Sequence, residues 1–113
     1  MHIPNNLLKG SLQTIILNLL KENERMYGYE ITQKVKEITS GEIKLTEGAM
    51  YPALHKMEAE GLLETSTEQV ENRTRKYYAL TSAGLEALEI KVQETTSFME
   101  NLKLLLNLKP ERS

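Results

Sequence analysis

Residues 46–64 read TEGAMYPALHKMEAEGLLE, and the fold turns on this stretch. Thr46 supplies a side-chain acceptor suited to a helix N-cap, and Glu47 places an acid in the first turn, where it complements the helix dipole. Met50, Leu54 and Met57 recur at helical spacing with Gly61 on the same line, which predicts a buried face that packs closely at the glycine. Glu47, Tyr51, Pro52, His55 and Lys56 fall on the opposite face. Pro52, at the sixth helical position, has no N–H for the carbonyl of Gly48, and its ring crowds that carbonyl. Glycine at that position lets the backbone adjust. A helix that keeps this proline gains a rigid, donor-poor apolar surface beside Tyr51, of a kind that rests against a thymine methyl or a sugar.

Upstream, Leu8, Leu12, Ile15, Ile16, Leu19 and Leu20 predict one helix over 5–22. Gly28, Ile31, Val35 and Ile38 predict a second helix that ends in a left-handed cap at Ser40-Gly41. In its leading YGYEI, Gly28 allows close helix packing, Tyr29 covers the core, and Tyr27 is placed to touch a phosphate. The short EIKL at 42–45 suits one small strand. Downstream, LLETSTEQ and RKYYAL are alternating, β-prone runs separated by VENRT, which predicts a hairpin. In its return strand Tyr78 and Leu80 face one way, and Arg75 and Tyr77 the other. Thr81 then caps a long last helix reaching about Leu108.

The order α-α-(β)-α-β-β-α is that of a winged helix-turn-helix, mainly α with a small β-hairpin (an α+β fold), followed by a long C-terminal helix. Residues 1–80 form the DNA-binding unit, 81–108 a dimerisation helix, and 109–113 a disordered tail. In such a unit the second of the paired helices enters the major groove and the wing lies along the backbone or minor groove. DNA contact is therefore expected from Thr46, Glu47, Gly48, Tyr51, Pro52, His55 and Lys56 on the helix, and from Asn72, Arg73, Thr74, Arg75 and Lys76 on the wing.

The charge map fits this division although the 113-residue chain sums to −2. Residues 1–57 carry seven Lys/Arg and six Glu, 58–71 five Glu, 72–76 three Lys/Arg, and 77–113 four Lys/Arg and five Glu. The positive charge is thus local to NRTRK. Every acid is a glutamate, cysteine and tryptophan are absent, and there are two histidines. Disulfides, thiol nucleophiles, Asp-dependent triads and His-rich metal sites have almost no material to be built from, so neither an enzyme, a metal site nor a cofactor is expected. His55 has only His2 for company and reads as a base or phosphate contact rather than a metal ligand. No apolar run reaches the roughly 20 residues that span a bilayer, and MHIPNNLLKG lacks the pattern of a signal peptide. A cytoplasmic protein is expected.

MYGYEI, TEGAMYPALHKMEAEGLL and RTRKYYALTSAG resemble, in order and spacing, the signature segments of the PadR family of bacterial transcriptional regulators, over about Leu8 to Gly84. The resemblance implies a homodimeric, double-stranded-DNA-binding regulator, most often a repressor of a palindromic operator, with Tyr51 and Pro52 on the DNA-facing helix and Arg73, Arg75 and Lys76 on the wing. The single C-terminal helix is similar to that of the smaller subfamily, several of whose members respond to flat aromatic or phenolic effectors. Some relatives place a tryptophan in that helix to stack the effector, and this chain has none.

Leu85, Leu88, Val92, Thr95, Met99, Leu102 and Leu106 alternate at three and four residues, which predicts a seam against a second copy. Thr95 is small and polar at mid-seam, so Val92, Thr95, Phe98 and Met99 mark the expected ligand gap. Two other classes remain open: a winged-helix protein-interaction module, since fold does not dictate function, and a small-molecule-binding dimer with weak DNA binding.

Overall fold

Helix α1 (Asn5–Leu8) and a 3-10 turn (Lys9–Ser11) lead into α2 (Leu12–Glu22), so the helix expected over 5–22 is broken near Gly10. Strand β1 (Met26–Tyr27) runs directly into α3 (Gly28–Ile38); then come α4 (Glu47–Ala59), β2 (Leu63–Val70), β3 (Arg73–Leu80) and α5 (Ser82–Leu105). The computed structural model describes residues 5–108; His2 and the 109–113 tail lie outside the described residues.

The sheet has the order β1-β3-β2, with both pairings antiparallel. Its third strand is Met26–Tyr27, not the EIKL expected to form one. That segment is instead a loop: Ile43 N–H donates to Thr39 Oγ1 at 3.1 Å, and Leu45 is buried. Glu71 and Asn72, with φ of 50° and 64°, make the two-residue turn between β2 and β3. Two successive left-handed residues match the twist of flanking strands. Both strands therefore extend to the turn, and Arg73 and Thr74 lie on β3 rather than in a loop.

The core is built where the apolar stripes converge. Ile16 and Leu17 of α2, Ile31 of α3 and Met50, Leu54 and Met57 of α4 are completely buried, as Tyr78 of β3 nearly is. Burial of each such side chain contributes about 1.5 to 3 kcal/mol. Two expected core positions depart from this pattern. Ile38, on the last turn of α3, is 64% exposed, and Tyr29 is 61% exposed rather than covering the core.

Thr46 Oγ1 accepts the Ala49 N–H at 3.2 Å, as an N-cap should. At the other end of α4, Gly61 has φ +79° and no close neighbour, so its role is a left-handed stop and not the close packing expected of it. The Leu62 N–H bonds back to Met57 O at 2.9 Å and the Gly61 N–H to Glu58 O at 3.0 Å, a Schellman closure. Thr81 joins this corner to α5: its Oγ1 accepts the Gly84 N–H at 3.0 Å and donates to Gly61 O at 2.7 Å.

Beyond that anchor α5 leaves the core. Leu88 is 2% exposed and fills the chain's own interior, so this seam residue faces inward and is not available to a second chain. Val92, Met99 and Leu102 are exposed, as are Leu104, Leu105 and Leu108. Helix α5 ends at Leu105, so Leu106 forms its C-cap and does not extend the helical seam as expected.

Pro52 lies inside α4, which continues to Ala59. Replacing it by alanine restores a donor for the Gly48 carbonyl and removes the ring, so Pro52→Ala is expected to raise unfolding stability by about 1 to 3 kcal/mol in urea titrations. Unchanged or lowered stability would show that α4 has absorbed the proline without strain.

Candidate nucleic-acid interface

Met50, Leu54 and Met57 fix the rotation of α4, which turns Pro52, His55 and Lys56 to solvent. Tyr51 is intermediate, half-buried with its ring against the core rather than wholly on the outer face. The neighbour that permits this is Gly28, at the start of α3: a Cβ there would collide with Tyr51 Oη and lie 3.0 Å from Met50 Cε. The glycine in YGYEI is thus a close-approach site, and its beneficiary is Tyr51. His55, one turn further along, holds its ring 6.3 Å from that of Tyr51 at a 36° tilt.

The wing meets this surface from the side. A groove of about 670 Å³ opens between the start of α3, α4 and β3, and is lined by Tyr51 and His55 together with Arg73, Thr74, Arg75 and Lys76. Tyr27, Gly28, Tyr29 and Tyr78 complete its walls. Six of the twelve residues expected to touch DNA are therefore brought together. Thr46, Gly48 and Pro52 instead line a separate apolar hollow of about 390 Å³ shared with Leu8, Leu12 and Leu45. Glu47, Lys56 and Asn72 are exposed and line neither; Asn72 sits at the hairpin turn.

The wing cations are not equivalent. Arg73 is exposed and has no ion pair among the described residues. Lys76 Nζ lies 3.5 Å from Glu58 Oε1, whose other oxygen accepts from Thr65 Oγ1 at 3.2 Å, and 5.4 Å from the centre of the Tyr78 ring. Arg75 stacks on Tyr27, its Cζ 4.1 Å from the ring centre. A hydrogen bond with the Tyr77 phenol raises the Arg75 pKa most, desolvation opposes it less strongly and Tyr27 adds to the rise, so its charge is secure. Burial pushes the Tyr78 phenol up, with Lys76 opposing, and it stays neutral at physiological pH. The surface thus combines aromatic faces with cations, which suits sugars, bases and phosphates.

Arg25 had no assignment in the sequence, yet it pairs with Glu68 and lies 4.0 Å over the ring of Tyr77. The alternation Arg25-Met26-Tyr27 is too brief to mark a strand by itself. The expected ligand gap is divided. Val92 and Thr95 line an apolar groove of about 460 Å³ with Ile15, Leu19, Val35 and Ile38. Thr95 and Phe98 line an adjoining hollow with Leu7 and Gly10, and Met99 lines neither. Among the described residues no group of three His, Cys, Asp or Glu is placed to hold a metal ion.

A family model described as the transcriptional regulator PadR-like family matches residues 16–90. The chain is 34% identical over 80 residues to transcriptional regulator Rv3488 of Mycobacterium tuberculosis, covering 71% of each chain. Among solved structures, a transcriptional regulator from Clostridium thermocellum superimposes with a TM-score of 0.81 at 28% identity, over 89% of this chain and 95% of that one. A PadR family transcription regulator from Clostridium difficile R20291 superimposes with a TM-score of 0.72 at 36% identity, over 85% and 98%.

Because a Cβ at position 28 collides with the Tyr51 phenol and not with backbone, Gly28→Ala should leave the fold intact and swing Tyr51 into the groove. The expected result is native far-UV circular dichroism, an altered near-UV tyrosine band, and duplex affinity reduced at least about tenfold, on the order of one lost base-edge contact. An unchanged tyrosine band would contradict this role for Gly28.

Proposed function

The chain belongs to the PadR-like family of DNA-binding transcriptional regulators, and on that premise we propose that it represses from a palindromic operator as a homodimer, one α4 helix per half-site. The observation that carries this reading is the groove in which Tyr51 and His55 of α4 stand beside the wing cations. The DNA-contacting residues are those named from the sequence, with Tyr51 and His55 at the bases and Arg73, Arg75 and Lys76 at phosphates. Two α4 helices then meet successive major grooves about 34 to 36 Å apart.

Residues 1–80 are the reading unit, and 81–108, helix α5 with its two caps and the residues just beyond, the dimerising segment. Support for the dimer comes from apolar side chains left uncovered along α5 and at its C-cap: Leu85, Val92, Met99 and Leu102 on the helix and Leu106 at the cap are each at least 37% exposed. Burying such a set against a partner helix offsets an association cost of roughly 4 to 15 kcal/mol. A small aromatic or phenolic effector is assigned to the adjoining grooves that meet at Thr95, from which it alters the spacing of the two reading units and releases the operator. Such an effector must bind the two states with different affinity, so unchanged operator affinity at saturation excludes that compound.

With about four phosphates neutralised per protomer, log K against log[salt] should fall with a slope near −7. Replacing Arg73, Arg75 and Lys76 by alanine should weaken binding to all duplexes alike and flatten that slope. Tyr51→Ala should reduce affinity mainly on the operator, and equal losses on random DNA would show that Tyr51 does not read sequence. For the seam, Leu102→Lys is expected to shift sedimentation from dimer to monomer at micromolar concentration and to reduce operator affinity in parallel. A persistent dimer would place the interface elsewhere.

A further inference from the structure

The sheet register sets Glu68 of β2 directly opposite Arg75 of β3. Directly opposed residues have Cβ atoms about 5 Å apart, and opposite charges there normally pair. They do not pair here. The Glu68 carboxylate instead takes the guanidinium of Arg25, which enters from beyond β1 and crosses over the Tyr77 ring of β3 to reach it. Arg75 is turned the other way, over Tyr27 of β1. Between the two stacks, Tyr27 and Tyr77 meet edge to face at 5.5 Å and 84°. Glu30, the acid whose charge does act on Arg75, already accepts the Tyr27 N–H at 3.1 Å.

We propose that Arg25 is a positioning residue that draws Glu68 away from Arg75 and so keeps the Arg75 guanidinium free of a carboxylate partner and open to a DNA phosphate; this rests on the DNA-binding reading above. An arginine already neutralised by a carboxylate must give up that pair to meet a phosphate, and with it most of one counterion's worth of salt-dependent affinity. The Arg25–Glu68 pair itself is about two-fifths exposed on both sides, where ion pairs add little to stability. Its consequence is therefore the choice of which arginine the carboxylate neutralises. Arg25 lies outside the groove, so it acts on the site through Glu68.

The test is a double-mutant cycle of Arg25→Gln and Glu68→Gln, read by binding to a mixed-sequence duplex across a salt series, since phosphate contacts do not depend on sequence. With Glu68 present, Arg25→Gln should weaken binding about tenfold and flatten the salt slope by about 0.9 per protomer. In the Glu68→Gln background the same change should alter affinity by less than about threefold and leave the slope unchanged. Arg25→Lys, which keeps the pairing charge, should retain affinity. In the free protein the Arg75 Nε–H resonance should move in Arg25→Gln and return in the double variant. Equal losses in both backgrounds would overturn the inference by making Arg25 itself a phosphate contact, and no loss in either would remove any part for it. If the wild type shows no salt-dependent binding, the DNA reading falls, and the Arg75 resonance still decides whether Arg25 diverts Glu68.

Discussion

The anchoring of α4 through three fully buried side chains, Met50, Leu54 and Met57, is the constraint on which the rest of the molecule depends. A helix held at three points along one face has no rotational freedom left, because a turn about its axis would lift all three from a close-packed interior. Its outer residues are therefore presented at fixed angles to the wing. The two ends are fixed as firmly, by the Thr46 cap and the Gly61 stop. The same corner that stops α4 starts α5, so Thr81 couples α4 to the helix that projects from the core.

Electrostatics follow from that geometry more than from composition. A chain of net charge −2 is a poor candidate for a polyanionic partner when its charges are averaged. What matters at contact distance is the local field, since salt screens charges more than about 10 Å away. On the wing, Lys76 is engaged by Glu58, while neither Arg73 nor Arg75 has an ion pair among the described residues. The aromatic side chains share in this. Tyr27 gives Arg75, and Tyr77 gives Arg25, a flat surface to lie on, which limits the conformational freedom of long side chains that would otherwise be lost on binding.

Much of this architecture is readable in the sequence because it rests on local rules. The α4 stripe, the caps at Thr46 and Thr81 and the alternation of Tyr77 and Tyr78 are each set by spacing, and the structure has them as expected. What escaped was decided by contacts distant in sequence. A two-residue strand at Met26–Tyr27 has no pattern of its own and exists because Tyr77 and Tyr78 are there to pair with it. Leu88 shares the heptad spacing of the exposed seam, and only the packing of α5 on the core shows that it faces inward. Likewise Glu68 and Arg75 are opposed by register, yet the carboxylate's true partner lies 43 residues away.

Whether two copies grip one operator through the α4 and wing surface is tested most directly by a fluorescence-anisotropy titration of the purified protein. Duplex from just upstream of its own gene is compared with a scrambled duplex of the same composition at two salt concentrations. The expected result is tight, salt-dependent binding to the upstream duplex with two protomers per site, and much weaker binding to the scrambled one. Equal affinity for both duplexes, or a stoichiometry of one protomer per site, would contradict it.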